Sequence, residues 1–350
     1  MQFSYQIPKG RFPVGKLPLN VLEQLLKRYA VTDDRVIVGP GIGADAAVID
    51  TGGPRYLIAK TDPITFTAEH IGWYAVHINA NDIAAMGGRP RWFLATLLLP
   101  ENKTTSADVD KIFAEISASC RGLGITLVGG HTEITYGLTR PVIVGQMLGE
   151  VEKDKLVRSS GSRPGDAIVL TKGVAVEGTA IIAREWEAEV ASAFGADWVG
   201  RCKNFIYAPG VSVVKEALLA TERCRVHAMH DPTEGGLATA LHEMGRAADV
   251  GIVVYEDAIK IYAETQRLCD HFQIDPLGLI ASGALLVTLE PADAEALVSA
   301  LAVEGISAAR IGEVVPKSQG IKIQTSSGLI DLPLYEQDEL TKIAAAVARS

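Results

Sequence analysis

The sequence is short of aromatic residues, of paired cysteines and of long apolar runs, and each shortage excludes a class of protein. Only 6% of its 350 residues are aromatic, so aliphatic side chains must dominate the core. None of the four cysteines forms a C-x-x-C pair, so we expect reduced thiols in a cytoplasmic protein rather than a zinc or disulfide framework. The most apolar stretches, such as 93–99, have strand length, whereas a membrane span needs roughly 20 residues.

The charge balance is acidic, with a formal net charge of −9 at pH 7. Proteins that bind nucleic acid normally carry a basic excess or stripe, so we expect no nucleic-acid partner, and the absence of an apolar span predicts no membrane partner either. Nucleotides remain compatible with an acidic chain, because Mg²⁺ can supply the missing positive charge.

The chain length predicts two domains, and the charged stretch at 150–166, which contains Ser-Ser-Gly and Pro-Gly, predicts the boundary between them. We place a first domain at 1–152 and a second at 153–350. Hairpin signals and helical spacing alternate in both halves. This pattern favours an α/β chain built as two α+β domains over one doubly wound sheet.

Local patterns add expectations that the structure can check. Residues 1–20 lack periodicity and predict an arm or loop. The remaining expectations are a helix at Ile71–Met86, a helix capped by Ser106, a buried strand at Ile125–Val128, a helix at Pro209–Ala220 with proline in its first turn, and a terminal helix from Glu336.

The first candidate site is the glycine-rich loop Gly39-Pro40-Gly41-Ile42-Gly43-Ala44-Asp45. Its spacing superficially matches a dinucleotide fingerprint, but that fingerprint needs a helix directly afterwards, and here a strand is expected. The loop therefore delivers one carboxylate, Asp45, and its backbone N–H groups at Gly41 and Gly43 can cup phosphate oxygens. The plainer interpretation is a tight turn with a solvated aspartate.

Two further signals lie in the same half of the chain. Lys60-Thr61-Asp62 ends an apolar run, where ligand-binding residues and simple turn residues are equally common. Asn79 and Asp82 are three residues apart in the expected helix, so both project from one face. Such a polar pair among small apolar residues either serves a ligand or forms one exposed edge of the helix.

Two further motifs combine a glycine pair with polar residues. Gly129-Gly130-His131-Thr132-Glu133 follows a strand, and its glycines would let the backbone approach a ligand closely, although a β-bulge with surface polar residues has the same pattern. The second motif is His230-Asp231-Pro232-Thr233-Glu234-Gly235-Gly236, which precedes an apolar helix. Anions bind well at the start of a helix, so this motif can be a binding site. The plainer interpretation is that Thr233 or Asp231 only caps the helix.

Together these signals predict a cation site. Asp45, Asp62 and Asp82 have no arginine cluster near them in the sequence, so they would repel one another if they converged. Two carboxylates about 4 Å apart cost on the order of 4 kcal/mol at an effective dielectric constant of 20. A Mg²⁺ ion bound by these carboxylates and by nucleotide phosphates would turn the repulsion into a net attraction.

These motifs, in this order, resemble the aminoimidazole ribonucleotide synthetase-like (PurM-type) ATP-binding superfamily, which includes thiamine-monophosphate kinase, selenophosphate synthetase and the hydrogenase maturation factor HypE. The resemblance covers roughly residues 15–315. The HypE branch is the most similar, through Gly15-Lys16-Leu17-Pro18, the phrase Val38–Asp50 and the His230–Gly236 motif.

The resemblance implies two α/β domains, a homodimer paired through the N-terminal sheets, bound ATP, and transfer of its γ-phosphoryl group to an acceptor. It implies Mg²⁺ at Asp45, Asp62 and Asp82, with catalytic roles for Asp62, His131 and Asp231. Nucleotide contacts are implied at Gly41, Gly43, Lys60, Thr61, Asn79, Gly130, Thr132, Glu133, His230, Glu234 and Gly235.

The sequence departs from the HypE pattern in two ways. HypE carries a C-terminal cysteine, whereas the last cysteine here is Cys269 and the sequence ends at Ser350. HypE and thiamine-monophosphate kinase have aspartate where His131 stands, and selenophosphate synthetase has histidine. We therefore expect the acceptor to be a free molecule or a group on another protein.

Three hypotheses follow. The chain is an ATP-using enzyme with an unidentified small acceptor, a hydrogenase maturation factor that works with a protein partner, or a nucleotide-binding dimer without catalysis. The missing tail cysteine counts against the second, and the retained carboxylates count against the third.

Overall fold

A computed structural model describes residues 12, 15, 17–29, 31–41, 43–65 and 67–347. Most of the expected N-terminal arm, including Lys16, and the last three residues, 348–350, lie outside the described residues. No described helix is both long enough and apolar enough to cross a membrane.

The first lobe is built on a six-stranded sheet in the order β1-β2-β3-β6-β4-β5. Its pairs are antiparallel except β4 with β5, which is parallel. The strands are β1 (Val36–Val38), β2 (Ala47–Asp50), β3 (Arg55–Ile64), β4 (Arg89–Pro100), β5 (Thr126–Thr135) and β6 (Val142–Glu152).

The second lobe is built on a seven-stranded sheet in the order β13-β12-β9-β11-β7-β10-β8. Only β12 and β9 pair in parallel. The strands are β7 (Ala167–Thr171), β8 (Val226–His230), β9 (Gly251–Tyr255), β10 (Leu286–Leu289), β11 (Ala308–Val315), β12 (Ile321–Thr325) and β13 (Gly328–Asp331).

Helices cover the sheets in both lobes. Those of the first lobe and its lead-in are α1 (Leu19–Tyr29), α2 (Ile71–Ala85) and α3 (Ser106–Leu123). Those that follow are α4 (Val176–Glu185), α5 (Glu187–Phe194), α6 (Ala196–Lys203), α7 (Val214–Arg223), α8 (Gly236–Ala248), α9 (Ala263–Phe272), α10 (Pro291–Val303) and α11 (Leu340–Val347).

Helix α2 lies at the centre of the molecule. All its residues except Trp73 are buried, because it packs on the first sheet, on α3 and on α7 of the second lobe. Its apolar residues are spread around the helix rather than confined to one stripe, as expected for an enclosed helix. The apolar core continues from Ile83 of α2 across the lobes to Ala217 of α7. Asn79, Asn81 and Asp82 are therefore buried, and the interpretation of an exposed polar edge is wrong.

The mixed, largely antiparallel sheets confirm the expected α/β fold with two α+β lobes. The first sheet ends at Glu152 and the second begins at Ala167, while the domain boundary at 152/153 stays a prediction. The short loop 51–54 joins the antiparallel strands β2 and β3 as a hairpin. Helix α2 begins at the residue expected from its spacing.

Four local expectations were wrong. Thr105, not Ser106, caps α3, because it forms a reciprocal pair of hydrogen bonds with Asp108. Pro209 follows a cis peptide bond in a loop, and α7 begins only at Val214. The terminal helix begins at Leu340 rather than Glu336, because the Asp338 carboxylate accepts hydrogen bonds from the N–H of Leu340, the first residue of that helix, and from the N–H of Gly235.

The fourth wrong expectation concerns the strand at Ile125–Val128. It is not short and buried: β5 continues through Gly129-Gly130 to Thr135 and is exposed along almost its whole length. A Cβ atom on Gly130 would lie 2.1 Å from the carbonyl oxygen of Ala95 on β4, so only glycine lets the two strands approach there. The ladder with β4 shifts register beside Gly129, as the alternative of a β-bulge requires.

Candidate nucleotide and cation site

The site begins with the second half of β3, which carries Lys60, Thr61 and Asp62. Helix α2 packs across this strand, and the amide of Asn79 fixes the backbone of Asp62. The Asp62 N–H donates to Asn79 Oδ1 at 2.9 Å, and Asn79 Nδ2 donates to the Asp62 carbonyl at 3.3 Å. A Cβ atom on Gly145 of β6 would lie 2.2 Å from Asn79 Nδ2, so the missing side chain makes room for this amide.

Lys60 lies between two carboxylates. Its Nζ is 3.0 Å from Asp82 Oδ1 and 3.5 Å from Asp62 Oδ2. Burial disfavours the charged ammonium, but Asp82, Asp62 and Asp45 outweigh burial and raise the Lys60 pKa. Burial raises the pKa of Asp82 well above its ordinary value, with Lys60 opposing that shift. These aspartates therefore have a basic neighbour, because the Lys60 ammonium lies between Asp62 and Asp82.

The glycine-rich loop contributes Asp45, which joins the second lobe through a histidine. His230 at the end of β8 contacts Asp45 Oδ1 through Nδ1 at 2.7 Å and Glu243 Oε2 of α8 through Nε2 at 2.9 Å. Burial opposes the charged ring, but the two carboxylates raise the His230 pKa well above its ordinary value. Both ring nitrogens then donate hydrogen bonds, so neither has a lone pair for a metal. The loop itself is fixed by the Ser159 hydroxyl, which donates to the Gly43 carbonyl.

Asp231 completes a group of buried carboxylates. Burial, followed by the charge of Asp45, raises its pKa to about 7. Among the aspartates of this site, four buried carboxylate oxygens lack a hydrogen-bond partner within the described residues: Asp45 Oδ2, Asp82 Oδ2, Asp231 Oδ1 and Asp231 Oδ2. Carboxylate oxygens of Asp45 and Asp231 lie within 4.8 Å of each other, and a ring nitrogen of the charged His230 lies within the same distance of both but cannot serve as a ligand. Oxygens of this kind are the ligands that Mg²⁺ prefers, so the donor set fits a divalent cation.

The motif Gly129–Glu133 does not join this group within one chain. The row of register partners runs Asp62, Gly145, Ala95 and Gly130, one residue per strand across β3, β6, β4 and β5. Three strand spacings separate Gly130 from Asp62 by roughly 14 Å. His131 beside it is exposed and contacts Glu133 at 3.3 Å, and Thr132 is exposed as well.

The remaining site residues expected from the sequence lie around the start of α8. Gly235 adopts the left-handed conformation that begins this helix, and its N–H donates to Asp338 Oδ2 at 2.8 Å. Glu234 precedes it, and Gly41 lies in the exposed part of the glycine-rich loop. The Thr61 hydroxyl donates to the Gly145 carbonyl at 3.0 Å, so this threonine holds β3 to β6.

Sequence reasoning missed three acidic residues near the site: Glu243, Asp338 and Glu177. Glu243 had a usable signal, because it is an acidic residue on the buried face of an otherwise largely apolar helix. Glu177 and Asp338 had none, since acidic residues at helix starts are ordinary caps. Their burial depends on the packing of separate segments of the second lobe.

Family models cover most of the chain. The N-terminal domain of AIR synthase related proteins matches residues 43–151, and the C-terminal domain of the same family matches residues 163–323. The chain belongs to the AIR synthase related family, and the resemblance inferred from its motifs is confirmed.

Individual relatives narrow this membership toward HypE-like proteins. A carbamoyl dehydratase HypE from Cupriavidus necator is 31% identical over 288 residues, which cover 78% of this chain and 77% of that protein. A selenide, water dikinase from Geobacter metallireducens is 27% identical and covers 81% of this chain and 88% of its own length. Among solved structures, the hydrogenase maturation protein HypE in complex with ATP superimposes with a TM-score of 0.70, at 26% identity, over 93% of this chain and 99% of that one.

Proposed function

We propose that this protein is a Mg²⁺-dependent ATP-using enzyme that transfers the γ-phosphoryl group of ATP to an oxygen atom of a small acceptor. The observation that carries the proposal is the convergence of Asp45, Asp82 and Asp231, with four buried oxygens that have no hydrogen-bond partner among the described residues. A group of buried, unpaired carboxylates destabilises the fold unless a cation binds to it. The solved relative in complex with ATP supports a nucleotide as the companion of that cation.

The residues divide the work by position. Asp45, Asp82 and Asp231 would hold Mg²⁺, which neutralises charge on the phosphates during phosphoryl transfer. Asp62 is the most exposed of the four aspartates, with a third of its side chain accessible, so it faces the reacting groups. Lys60 and the backbone N–H groups at Gly41 and Gly43 bind phosphate oxygens. His230 stays charged between Asp45 and Glu243 and keeps the Asp45 carboxylate in place.

A direct test combines binding and turnover. Mg·ATP binding by calorimetry should weaken at least tenfold in Asp231→Asn, because two unpartnered oxygens are reduced to one neutral acceptor. Asp50→Asn is the matched control, since Asp50 pairs with Lys153 on the surface and lies outside the site. Release of ADP against a metabolite panel would then separate catalysis from simple nucleotide sensing. Unchanged Mg·ATP binding in Asp231→Asn would contradict the cation site.

A second candidate function is hydrogenase maturation with a protein partner, supported by the Cupriavidus necator relative. The cysteines of this chain argue against a covalent carrier among them. Burial raises the pKa of the Cys120 thiol to about 11 and that of the Cys202 and Cys269 thiols to about 12, so few thiolates form at neutral pH. Intact-mass spectrometry after incubation with carbamoyl phosphate, ATP and a carbamoyl-transfer partner tests this candidate. A stable adduct on this chain would favour it over a free acceptor.

We also propose a homodimer paired through the first sheet. The run Arg91–Leu99 is apolar on both faces and must be covered, and within one chain it lies in β4 between β6 and β5 with its alternate residues buried. The uncovered strand is β5, which exposes Leu127, Val128 and Ile134 at the sheet edge. Light scattering should give twice the chain mass of 37.2 kDa, and Ile134→Lys should shift it toward the monomer. A wild-type monomer at micromolar concentration would contradict the pairing.

Cytoplasmic location also stays a prediction, based on four free thiols.

A further inference from the structure

A second group of metal-binding types of side chain lies at the end of the second sheet where β7 and β8 begin and β10 ends. Asp166 precedes β7, His227 is the second residue of β8, and Glu290 follows β10. Ligand-type atoms of these three residues lie within 4.8 Å of one another. The group has no role in the proposed phosphoryl transfer, so it is a candidate for a separate binding site.

An irregularity in β8 brings the histidine into this group. Thr288 and Leu289 of β10 pair with the residues on either side of His227, which itself has no partner residue and forms a β-bulge. A bulge turns a side chain away from the regular alternation of its strand. Gly161 makes room for the bulge, because a Cβ atom at that position would overlap the His227 carbonyl oxygen.

Asp166 fixes the orientation of the imidazole ring. The His227 Nδ1–H donates to Asp166 Oδ1 at 2.9 Å, and the Arg163 N–H donates to Asp166 Oδ2 at 2.8 Å. Only 3% of the His227 side chain and 4% of the Asp166 side chain are exposed. With the proton on Nδ1, the lone pair of the ring is on Nε2. Metal-binding histidines almost always have such a carboxylate, carbonyl or water on their other ring nitrogen.

The second ring nitrogen faces Glu290 without reaching it. His227 Nε2 is 4.0 Å from Glu290 Oε1, which is too long for a hydrogen bond, and Nε2 has no hydrogen-bond partner among the described residues. Zn²⁺ binds histidine nitrogen and carboxylate oxygen at about 2.0–2.2 Å each, so the gap has the width of one such ion with its two bonds. The Glu290 side chain is 61% exposed, which lets an ion enter and leaves positions for water.

The charge and the donor types of the group favour one kind of ligand. Neither Asp166 nor Glu290 forms an ion pair with a lysine or arginine among the described residues, so the two carboxylates share His227 as their partner. A divalent cation neutralises both negative charges. Mg²⁺ and Ca²⁺ prefer oxygen ligands throughout, whereas an imidazole nitrogen beside carboxylate oxygen suits Zn²⁺.

We propose that His227 Nε2 and Glu290 bind one zinc ion at this end of the second sheet. Asp166 is the positioning residue that holds the ring, and water fills the remaining coordination positions. The site is separate from the candidate nucleotide and cation site and does not depend on the proposed function. The ion joins β8 to the residue that precedes α10, and it thereby braces the strand that carries His230 three residues further on.

The test measures zinc binding to the full chain by calorimetry at neutral pH in excess MgCl₂, which competes for the oxygens of the first site. We expect one strongly bound zinc ion per chain and a higher midpoint of thermal unfolding with zinc than without it. Glu290→Gln should weaken this binding about tenfold or more, because a neutral amide replaces a charged ligand. The variant should fold normally, since the Glu290 side chain is exposed.

Other variants assign the zinc to this place. Glu189→Gln is the matched control: Glu189 lies 3.4 Å from His271 Nε2, but no carboxylate orients that ring among the described residues and both side chains are partly exposed. It should leave the strong binding unchanged. Asp231→Asn alters the first site and should also leave it unchanged. His227→Gln should abolish it, and Glu290→Gln decides the question if His227→Gln fails to fold.

Four results would overturn the proposal. They are the absence of saturable one-to-one zinc binding in the wild type, equal zinc affinity in Glu290→Gln, an equal loss of affinity in Glu189→Gln, and loss of the strong binding in Asp231→Asn. The last result would assign the zinc to the first site instead.

Discussion

Replacing Lys60 with methionine should expose how the free protein tolerates its buried carboxylates. The ammonium lies 3.0 Å from Asp82 Oδ1 and 3.5 Å from Asp62 Oδ2. At an effective dielectric constant of 20, each pair contributes roughly 5 kcal/mol of attraction, which desolvation of the charges offsets in part. Breaking a buried pair by removing one partner typically costs about 3–5 kcal/mol, and we expect a loss of that size in the free energy of unfolding.

The same variant should respond more strongly to Mg²⁺ than the wild type. Without Lys60, His230 is the main cation left among the described residues to offset the charge of Asp231, so a divalent cation gains more by binding between the aspartates. Urea unfolding followed by circular dichroism, in EDTA and then in MgCl₂, measures both quantities. Magnesium should recover a large part of the stability that Lys60→Met loses.

Lys153→Met is the matched control for this experiment. Lys153 also pairs with an aspartate, Asp50 at 2.6 Å, but both side chains are partly exposed. Surface pairs contribute at most about 1 kcal/mol, and this one has no reason to depend on Mg²⁺. If Lys60→Met lost no more stability than Lys153→Met, or if Mg²⁺ stabilised it no more than the wild type, Lys60 would not be the cation that balances the site.

Two further predictions concern acid stability and the contact between lobes. Burial lowers the His77 pKa to about 4, below its ordinary 6.5. The neutral ring therefore contributes about 3 kcal/mol to the free energy of unfolding above pH 6.5, and this contribution is lost as the pH falls from 6.5 through 4. His77→Phe should flatten the fall in unfolding free energy between pH 6.5 and 4, and a profile parallel to the wild type would contradict this cause. Asn81→Ala should cost about 2–4 kcal/mol in urea unfolding, because the Val211 carbonyl and the Val213 N–H lose their buried partner. A loss below about 0.5 kcal/mol would mean that water replaces the amide.

Local chemistry made part of this structure predictable. The strand after the glycine-rich loop excluded a dinucleotide-binding helix, and β2 occupies that position. Asn79 and Asp82, three residues apart, both reach β3, as their helical spacing required. The grouping of Asp45 with His230 came only from the order of motifs in related proteins, since 185 residues separate the two in the chain.

The parts that could not be predicted depend on long-range packing. The exposure of β5 is a consequence of its position at the sheet edge, which no alternation of residues within 126–135 reveals. Strand β8, which carries His230, was missed because five residues flanked by turns give little periodicity. The neutralising role of Lys60 could not be predicted from its neighbours in the chain, because its long side chain reaches Asp82 on a separate helix.

The two lobes contact each other through side chains of one lobe that bind backbone groups or charged groups of the other. Asn81 of α2 contacts the Val211 carbonyl and the Val213 N–H much as a neighbouring strand would. Asp45 depends on His230, and the glycine-rich loop depends on Ser159. A chimera that joined the first lobe of one relative to the second lobe of another would have to match all of these contacts at once. Recombination between the lobes should therefore be rarely tolerated, and related chains should descend as whole molecules rather than as exchangeable halves.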